Sequence, residues 1–234
     1  MRPVIGITLD WQEHGSFSKR PHYALRDSYF HAVYAAGGLP IAIPYQLESQ
    51  DAYLDMVGGM IVPGGDYPTP AAWYVKPNEH PHHPRPDVDI AFIGKMMARK
   101  TPLLGICAGM QTLGVASGGK LYLRVKDEHP GCTEHRGTEP TNYAHSVTVT
   151  EGSLLHKLTG QREMQVNSHH NEAVAHVGPA ARVVATAPDG VIEAIELVNH
   201  PFALGVQWHP EFFMHEGSPD RALFEGLIAA AKSA

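Results

Sequence analysis

The chain has 234 residues, of which 43 % are hydrophobic and 18 % are charged, so it can bury a sizeable core and does not have the composition of a disordered protein. Its formal net charge of −6 argues against nucleic acid and anionic membranes as partners. The two cysteines, Cys107 and Cys132, are too few for a disulfide framework or a four-cysteine zinc site.

The first half of the chain alternates between short apolar runs and helical patterns. We predict strands over 4–9, 39–44, 59–63 and 102–107, the second of which we expect to be buried. The predicted helices cover 24–36, 50–57, 90–99 and 109–116. Parallel strands need helical crossovers, and helices of these lengths supply them. The pattern therefore predicts an α/β fold with a doubly wound sheet.

The second half has a different pattern, in which strands follow one another with only turns between them. Predicted strands cover 145–150, 163–167, 182–187, 191–197 and 203–208, and a terminal helix begins at Pro219. Part of the sheet is therefore expected to be antiparallel. We find no internal repeat or linker, so we predict one domain over 1–234. The sequence has no secretory pattern and no membrane-length apolar run, so a cytoplasmic location is expected.

A cysteine stands where an apolar strand becomes a helix, in the segment Gly105-Ile106-Cys107-Ala108-Gly109. This is the pattern of a nucleophile elbow, a turn so tight that side chains two positions before and after the nucleophile would collide with backbone. The positive end of the helix dipole would favour the thiolate form of Cys107. A buried structural cysteine beside helix-packing glycines is the alternative interpretation of these five residues.

Two further segments also follow predicted strands. Trp208-His209-Pro210-Glu211 offers a base for a cysteine nucleophile, His209, and a carboxylate that can fix its tautomer, Glu211. The glycines of Val62-Pro63-Gly64-Gly65-Asp66 allow a backbone amide to pair with that of Ala108 as an oxyanion hole. Open α/β sheets place their sites at the carboxyl ends of the strands. We therefore predict that these segments meet in one active site.

Together these segments resemble the class I glutamine amidotransferase-like superfamily. The stretch 199–211, Asn-His-Pro-Phe-Ala-Leu-Gly-Val-Gln-Trp-His-Pro-Glu, is more similar still to the γ-glutamyl-γ-aminobutyrate hydrolase branch of that superfamily. Further similarity lies in 36–40, 166–170 and 188–194. The resemblance spans nearly the whole chain. It implies a flavodoxin-like fold.

The resemblance also implies hydrolysis of a small γ-glutamyl amide through a thioester, with glutamate as product. Cys107 is then the nucleophile, His209 the base and Glu211 its orienter, and the amides of Gly65 and Ala108 form the oxyanion hole. Four other residues are expected at the substrate: Gly64, Gln111, Ser168 and His170. No metal and no cofactor are expected. In the hydrolase branch an arginine often follows the nucleophile, whereas Ala108 stands there in this chain, which leaves the departing amine open.

Several alternatives stay open. The same triad serves glutaminase subunits that deliver ammonia to a partner synthetase. The histidines of the proline-rich segment 79–87 offer metal ligands, although a solvated loop is the preferred interpretation of that segment. We expect Cys132 to be an ordinary loop thiol, and one of His169 and His170 to bond the loop backbone. The oligomeric state is also open, with a homodimer as one option.

Overall fold

The computed structural model describes residues 1–76, 81–137 and 139–233, and within them the chain forms thirteen strands and seven α-helices. The strands are β1 (Val4–Thr8), β2 (Asp10–Gln12), β3 (His22–Ala24), β4 (Leu39–Ile43), β5 (Gly59–Val62), β6 (Leu103–Ile106), β7 (Lys120–Tyr122), β8 (His145–Val149), β9 (Glu163–Val166), β10 (Ala173–His176), β11 (Ala181–Thr186), β12 (Ile192–Leu197) and β13 (Ala203–Val206). The helices are α1 (Asp27–Ala35), α2 (Gln50–Met56), α3 (Pro84–Arg99), α4 (Ala108–Ala116), α5 (Val125–Glu128), α6 (Leu154–Thr159) and α7 (Pro219–Ala231).

Nine of the described strands form one mixed sheet in the order β4-β1-β5-β6-β13-β12-β11-β8-β9. The five strands from β4 to β13 run parallel. Numbered along the chain, their order is 2-1-3-4-5, that of a flavodoxin-like doubly wound sheet. The remaining four strands extend the sheet in antiparallel fashion. The predicted fold class, with parallel and antiparallel parts, is confirmed.

Helices cover both faces of the sheet, and an apolar core lies under each layer. One core contains Tyr29 of α1 and Leu223 of α7, and the other contains Phe92 of α3 and Leu113 of α4. All residues of β5 and β6 are buried, because strands in the middle of a parallel sheet are covered on both faces. No helix in the described ranges combines the length and the apolar character that crossing a membrane requires.

Two predicted elements near the start of the chain differ from the structure. The segment 39–44, expected to be a buried strand, forms β4 at the edge of the sheet, where Leu39 is 47 % exposed. An apolar run alone does not distinguish an edge strand from a central one. The helix predicted over 24–36 begins only at Asp27, because 22–24 pairs with 10–12 in a separate two-stranded ribbon.

The proline-rich segment is the clearest correction. We predicted a solvated loop over 79–87, but α3 begins at Pro84, well before the predicted start at Ile90. Prolines are tolerated in the first turn of a helix because the amides there have no intrahelical acceptor. The ring of His83 caps the helix by accepting a hydrogen bond from the amide of Arg85. Glu79 and His80 lie outside the described residues.

Candidate active site

The ends of three neighbouring parallel strands bring the predicted segments together. Gly64 follows β5, Cys107 follows β6 and His209 follows β13, and these strands are adjacent in the sheet. A Cβ atom on Gly64 would lie 2.6 Å from Cε1 of His209 and 3.3 Å from Cβ of Cys107. The cysteine and histidine side chains therefore meet at this glycine, at the carboxyl edge of the sheet.

Cys107 has the strained backbone of an elbow. Its φ is 52° and its ψ is −106°, a conformation that costs a non-glycine residue about 1–3 kcal/mol. A Cβ on Gly105 would lie 2.7 Å from the carbonyl oxygen of Gly109, and one on Gly109 would lie 1.9 Å from that of Val62. Both flanking glycines are therefore required by close backbone contacts, as the elbow pattern predicts.

His209 is held on both its side chain and its backbone. Its Nδ1 hydrogen-bonds Oε1 of Glu211 at 2.8 Å, and both residues are buried. The Asn167 side chain accepts a hydrogen bond from the amide of His209 at 2.7 Å and donates one to its carbonyl oxygen at 3.1 Å. We did not predict a role for Asn167, although it lies in one of the segments that carry the family resemblance. It fixes the position of the imidazole.

The charges around His209 favour its protonated form. Burial lowers the pKa of His209, but the charges of Glu211 and Cys107 raise it by more, so that it stands at about 10. Burial, followed by the charges of Glu211 and Cys107, raises the pKa of Tyr29 well above its ordinary value. The neutral phenol of Tyr29 accepts a hydrogen bond from the amide of Gly64 at 3.0 Å. The arrangement is that of a buried imidazolium facing a sulfur atom.

Cys107 and His209 open into a cavity of about 870 Å³, within the range of small-molecule sites. Gly65 and Ala108, predicted as oxyanion-hole donors, line the same cavity. Its wall also carries charged side chains of both signs: Arg26, Asp66, Arg124, Lys126, Glu134, Arg136 and Glu172. Burial raises the pKa of Glu172 to about 7. The cavity therefore suits a small polar ligand that carries both charges.

The other predicted substrate contacts are divided between the cavity wall and the layer behind it. Gln111 and His170 line the cavity, where the Gln111 amide donates to the carbonyl oxygen of Glu172 at 3.0 Å. Ser168 and Gly64 are not among the described residues that line it. The Ser168 hydroxyl instead donates to the carbonyl oxygen of His135 at 2.6 Å. A direct substrate contact by Ser168 or Gly64 stays a prediction.

A buried arginine that the sequence analysis missed supports the glycine loop. The Arg85 guanidinium donates to the carbonyl oxygens of Pro63 and Gly64 and to Asp89, with no exposed surface. These bonds fix the loop that carries Gly65. The only signal in the sequence is the spacing of Arg85 and Asp89, four residues apart on a helix.

The predicted metal alternative finds no support in the described part of 79–87. His82 pairs with Asp87 at 3.0 Å, whereas the His83 ring stacks on Tyr67. Neither histidine belongs to a described group of side chains with metal-ligand spacing. Cys132 lies in a loop, where its thiol donates to the carbonyl oxygen of Thr133.

Comparison with known proteins identifies the family. Residues 3–211 match peptidase C26. The chain belongs to the peptidase C26 family. This C26 protein is 36 % identical over 242 residues to γ-glutamyl-γ-aminobutyrate hydrolase PuuD of Escherichia coli K12, an alignment that covers 98 % of this chain and 94 % of the relative. The family resemblance inferred from the sequence is confirmed, and the chain is a hydrolase of the class I glutamine amidotransferase-like type.

A solved structure shows the same fold for the C26 protein. The solved structure is the glutaminase domain of Trypanosoma brucei CTPS with bound acivicin. It matches with a TM-score of 0.69, and the match covers 99 % of this chain and 94 % of that one. The sequence identity is 15 %, so this likeness concerns the fold alone.

Proposed function

We propose that this C26 hydrolase cleaves the amide bond of a small γ-glutamyl compound through a thioester on Cys107. The observation that carries the proposal is the meeting of a strained, elbow-borne Cys107 with a buried His209 that Glu211 holds by Nδ1. A cysteine nucleophile, a base and an orienting carboxylate are the three groups that this chemistry needs. The identity to a γ-glutamyl-γ-aminobutyrate hydrolase supports the same substrate class.

The reaction has two half-reactions. The Cys107 thiolate attacks the γ-carbonyl carbon and forms a C–S bond, while the amides of Gly65 and Ala108 stabilise the charge on the carbonyl oxygen. His209 gives its proton to the leaving nitrogen as the C–N bond breaks, and the free amine departs. His209 then takes a proton from water, whose oxygen attacks the thioester. Glutamate leaves and the thiolate–imidazolium pair is restored.

The charged wall of the cavity fits the substrate proposed here. A γ-glutamyl group carries an α-ammonium and an α-carboxylate, and its recognition requires both an anion and a cation. Glu172 lies beside Gln111 on the wall and is the proposed partner of the ammonium, whose positive charge favours the ionised form of this carboxyl group. Arg26, which also lines the cavity, is the proposed partner of the carboxylate.

A turnover assay tests this function against the glutaminase alternative. The purified chain is given γ-glutamyl-γ-aminobutyrate, a γ-glutamyl dipeptide and glutamine, and the release of glutamate is measured. The proposal predicts efficient hydrolysis of at least one of the first two without any added protein. Turnover of glutamine alone, and only when a partner synthetase is present, would contradict it. Because Ala108 stands where the hydrolase branch often has an arginine, comparing the first two substrates also shows which of these two leaving amines the site prefers.

A further inference from the structure

A second buried cluster lies beside the cavity and takes no part in the mechanism above. Three imidazole nitrogens surround one oxygen, Oε1 of Glu193, whose side chain has no exposed surface. The distances to that oxygen are 3.2 Å from Nδ1 of His135, 3.6 Å from Nε2 of His145 and 3.6 Å from Nε2 of His170. The four residues come from β8, β12 and two loops. His135 and His170 also line the cavity.

The atoms at the centre of this cluster lack hydrogen bonds. Among the described residues, no donor or acceptor is suitably aligned with either carboxylate oxygen of Glu193, with Nε2 of His145 or with Nε2 of His170. Leaving such groups unpaired in the interior is unfavourable, and more so when they are charged. These four polar atoms face one point without hydrogen bonds of good geometry, so that point can accommodate a cation.

Hydrogen bonds at the outer nitrogens, Nδ1, fix the orientation of the His145 and His170 rings. Nδ1 of His145 bonds the carbonyl oxygen of Ser146 at 3.1 Å, and Nδ1 of His170 bonds that of Glu172 at 2.8 Å. A carbonyl oxygen only accepts, so Nδ1 is the donor in both hydrogen bonds. Nε2 of each ring then faces the Glu193 carboxylate.

His135 is anchored in the same way, since its Nε2 hydrogen-bonds Oδ2 of Asp189 at 2.9 Å. A histidine that binds a metal usually gives its other ring N–H to a carboxylate or a backbone carbonyl. All three histidines of the cluster have such a partner on the outer nitrogen. The surrounding residues therefore already orient the three rings as metal ligands.

We propose that His135, His145 and Glu193 bind a zinc ion, and that a side-chain movement of His170, whose Nε2 lies 3.6 Å from the Glu193 oxygen but outside the compact group of the other three donors, supplies the fourth ligand. Zinc bonds of about 2.0–2.2 Å place the ligand atoms of a tetrahedral site about 3.3 Å apart. The distances to the Glu193 oxygen, 3.2–3.6 Å, agree with that spacing. The donor atoms of His135, His145 and Glu193 all lie within 4.8 Å of one another, so small side-chain movements close the site. Imidazole and carboxylate ligands together suit zinc better than magnesium or calcium.

The neighbouring group formed by Cys132, His135 and Asp189 has similar spacing but is the weaker candidate. Oδ2 of Asp189 already accepts hydrogen bonds from the amide and the hydroxyl of Thr133, at 2.8 and 2.7 Å, and bonds His135. Its acceptor capacity is used, whereas neither carboxylate oxygen of Glu193 accepts a hydrogen bond of good geometry from the described residues. Asp189 is therefore the orienting partner of a ligand.

The bound ion would connect the second half of the sheet to the cavity wall. It would join β8 through His145 and β12 through Glu193 to the two loops that carry His135 and His170. The hydrolysis proposed above needs no metal, so the ion has a structural role in the cavity wall and no catalytic one. The inference rests on the cluster alone, and its test is independent of substrate turnover.

The test measures metal binding directly. Protein without a polyhistidine tag is stripped with a chelator and titrated with Co²⁺, whose visible absorption reports tetrahedral coordination, and the Co²⁺ is then displaced by Zn²⁺. We expect one ion per chain, with no thiolate charge-transfer band. Partners of metal ligands alone change affinity by about 10–100-fold, so loss of a ligand in Glu193→Gln or His145→Gln should weaken binding at least about 100-fold.

Two control variants make the result specific. His176→Gln removes an exposed histidine of β10 and should leave the affinity unchanged. Cys107→Ser removes the sulfur of the active site and should also leave the cobalt spectrum unchanged. If Glu193→Gln does not fold, the partly exposed His145→Gln decides the question. Equal affinity in wild type and both ligand variants, or no stoichiometric binding by wild type, would overturn the proposal in favour of a shared proton.

Discussion

Gly64 lies so close to His209 that a Cβ at position 64 would be 2.6 Å from Cε1 of the imidazole. The same atom would be 3.0 Å from the Tyr29 hydroxyl and 3.3 Å from Cβ of Cys107. These groups come from four separate parts of the chain. The absence of a side chain at position 64 therefore allows the nucleophile and the base to meet.

Gly64→Ala should consequently impair the reaction more than it impairs folding. The methyl group displaces the imidazole, and a misplacement of about 1 Å can cost about 100-fold in rate, so we expect a loss of that order in kcat/KM. Steady-state hydrolysis of the γ-glutamyl substrate measures it. Gly94→Ala is the control, because this exposed position in α3 has open space around it and the change should stabilise the helix by up to about 1 kcal/mol. Wild-type turnover by Gly64→Ala would contradict the proposed geometry.

Ala108→Pro tests the oxyanion hole. Ala108 is the first residue of α4, where proline is tolerated, so the substitution removes a backbone donor without breaking the helix. The loss of one such donor costs about 100–1,000-fold in kcat. Alkylation of Cys107 by iodoacetamide builds no oxyanion and should keep its rate. If alkylation and hydrolysis fall together, the substitution has disturbed the elbow, and the amide of Ala108 is not shown to be the donor.

Arg85→Met should destabilise the protein. The change leaves Asp89 buried without its ion-pair partner, and removing one member of a buried pair costs about 3–5 kcal/mol in free energy of unfolding. Arg99→Met is the matched control on the same helix, because Arg99 pairs with Asp51 and Asp55 at the surface, where solvent screens such pairs and their loss changes stability little. Urea denaturation distinguishes the two. Equal losses would mean that Arg85 does not support the glycine loop as described.

The raised pKa of His209 makes stability depend on pH. The folded-state pKa of about 10 lies above the ordinary value of 6.5, so the protonated ring stabilises the fold fully below about pH 6.5. That contribution is lost as the pH rises towards and through 10. Glu211→Gln removes the main charge that raises this pKa and should flatten the decline. Urea denaturation of both proteins at about pH 7 and about pH 10 measures it, and identical declines would contradict the assignment.

The parallel half of the fold is predictable from the sequence because its signals are local. The buried strands β5 and β6 are continuous apolar runs. The helices that follow the parallel strands end at a glycine or where the helical spacing of apolar residues stops. The short pair β7 and β10 was not predicted, because three or four residues carry too little periodicity and because two helices and two strands separate these strands along the chain. The start of α3 was missed because prolines suggest a loop unless the capping role of His83 is known.

The site shows the same division. The elbow and the His209–Glu211 pair are short segments whose geometry follows from their own residues, so they were found. Contacts between distant segments, in contrast, create the roles of Arg85 and Asn167 and the proposed zinc site. Nothing in the spacing of His135, His145 and Glu193 along the chain indicates that they meet. The pairing of β8 and β12 with β11 brings His145 towards Glu193, and His135 reaches them from a loop.

The central claim is that a γ-glutamyl group is transferred to Cys107. Acid-quenched protein, taken during turnover of a γ-glutamyl amide and digested, is analysed by mass spectrometry for the attachment site. The account predicts one glutamyl group on the peptide that contains Cys107, none on the peptide with Cys132, and no hydrolysis by Cys107→Ala. Full hydrolysis by Cys107→Ala, or a glutamyl group found only at Cys132, would contradict it.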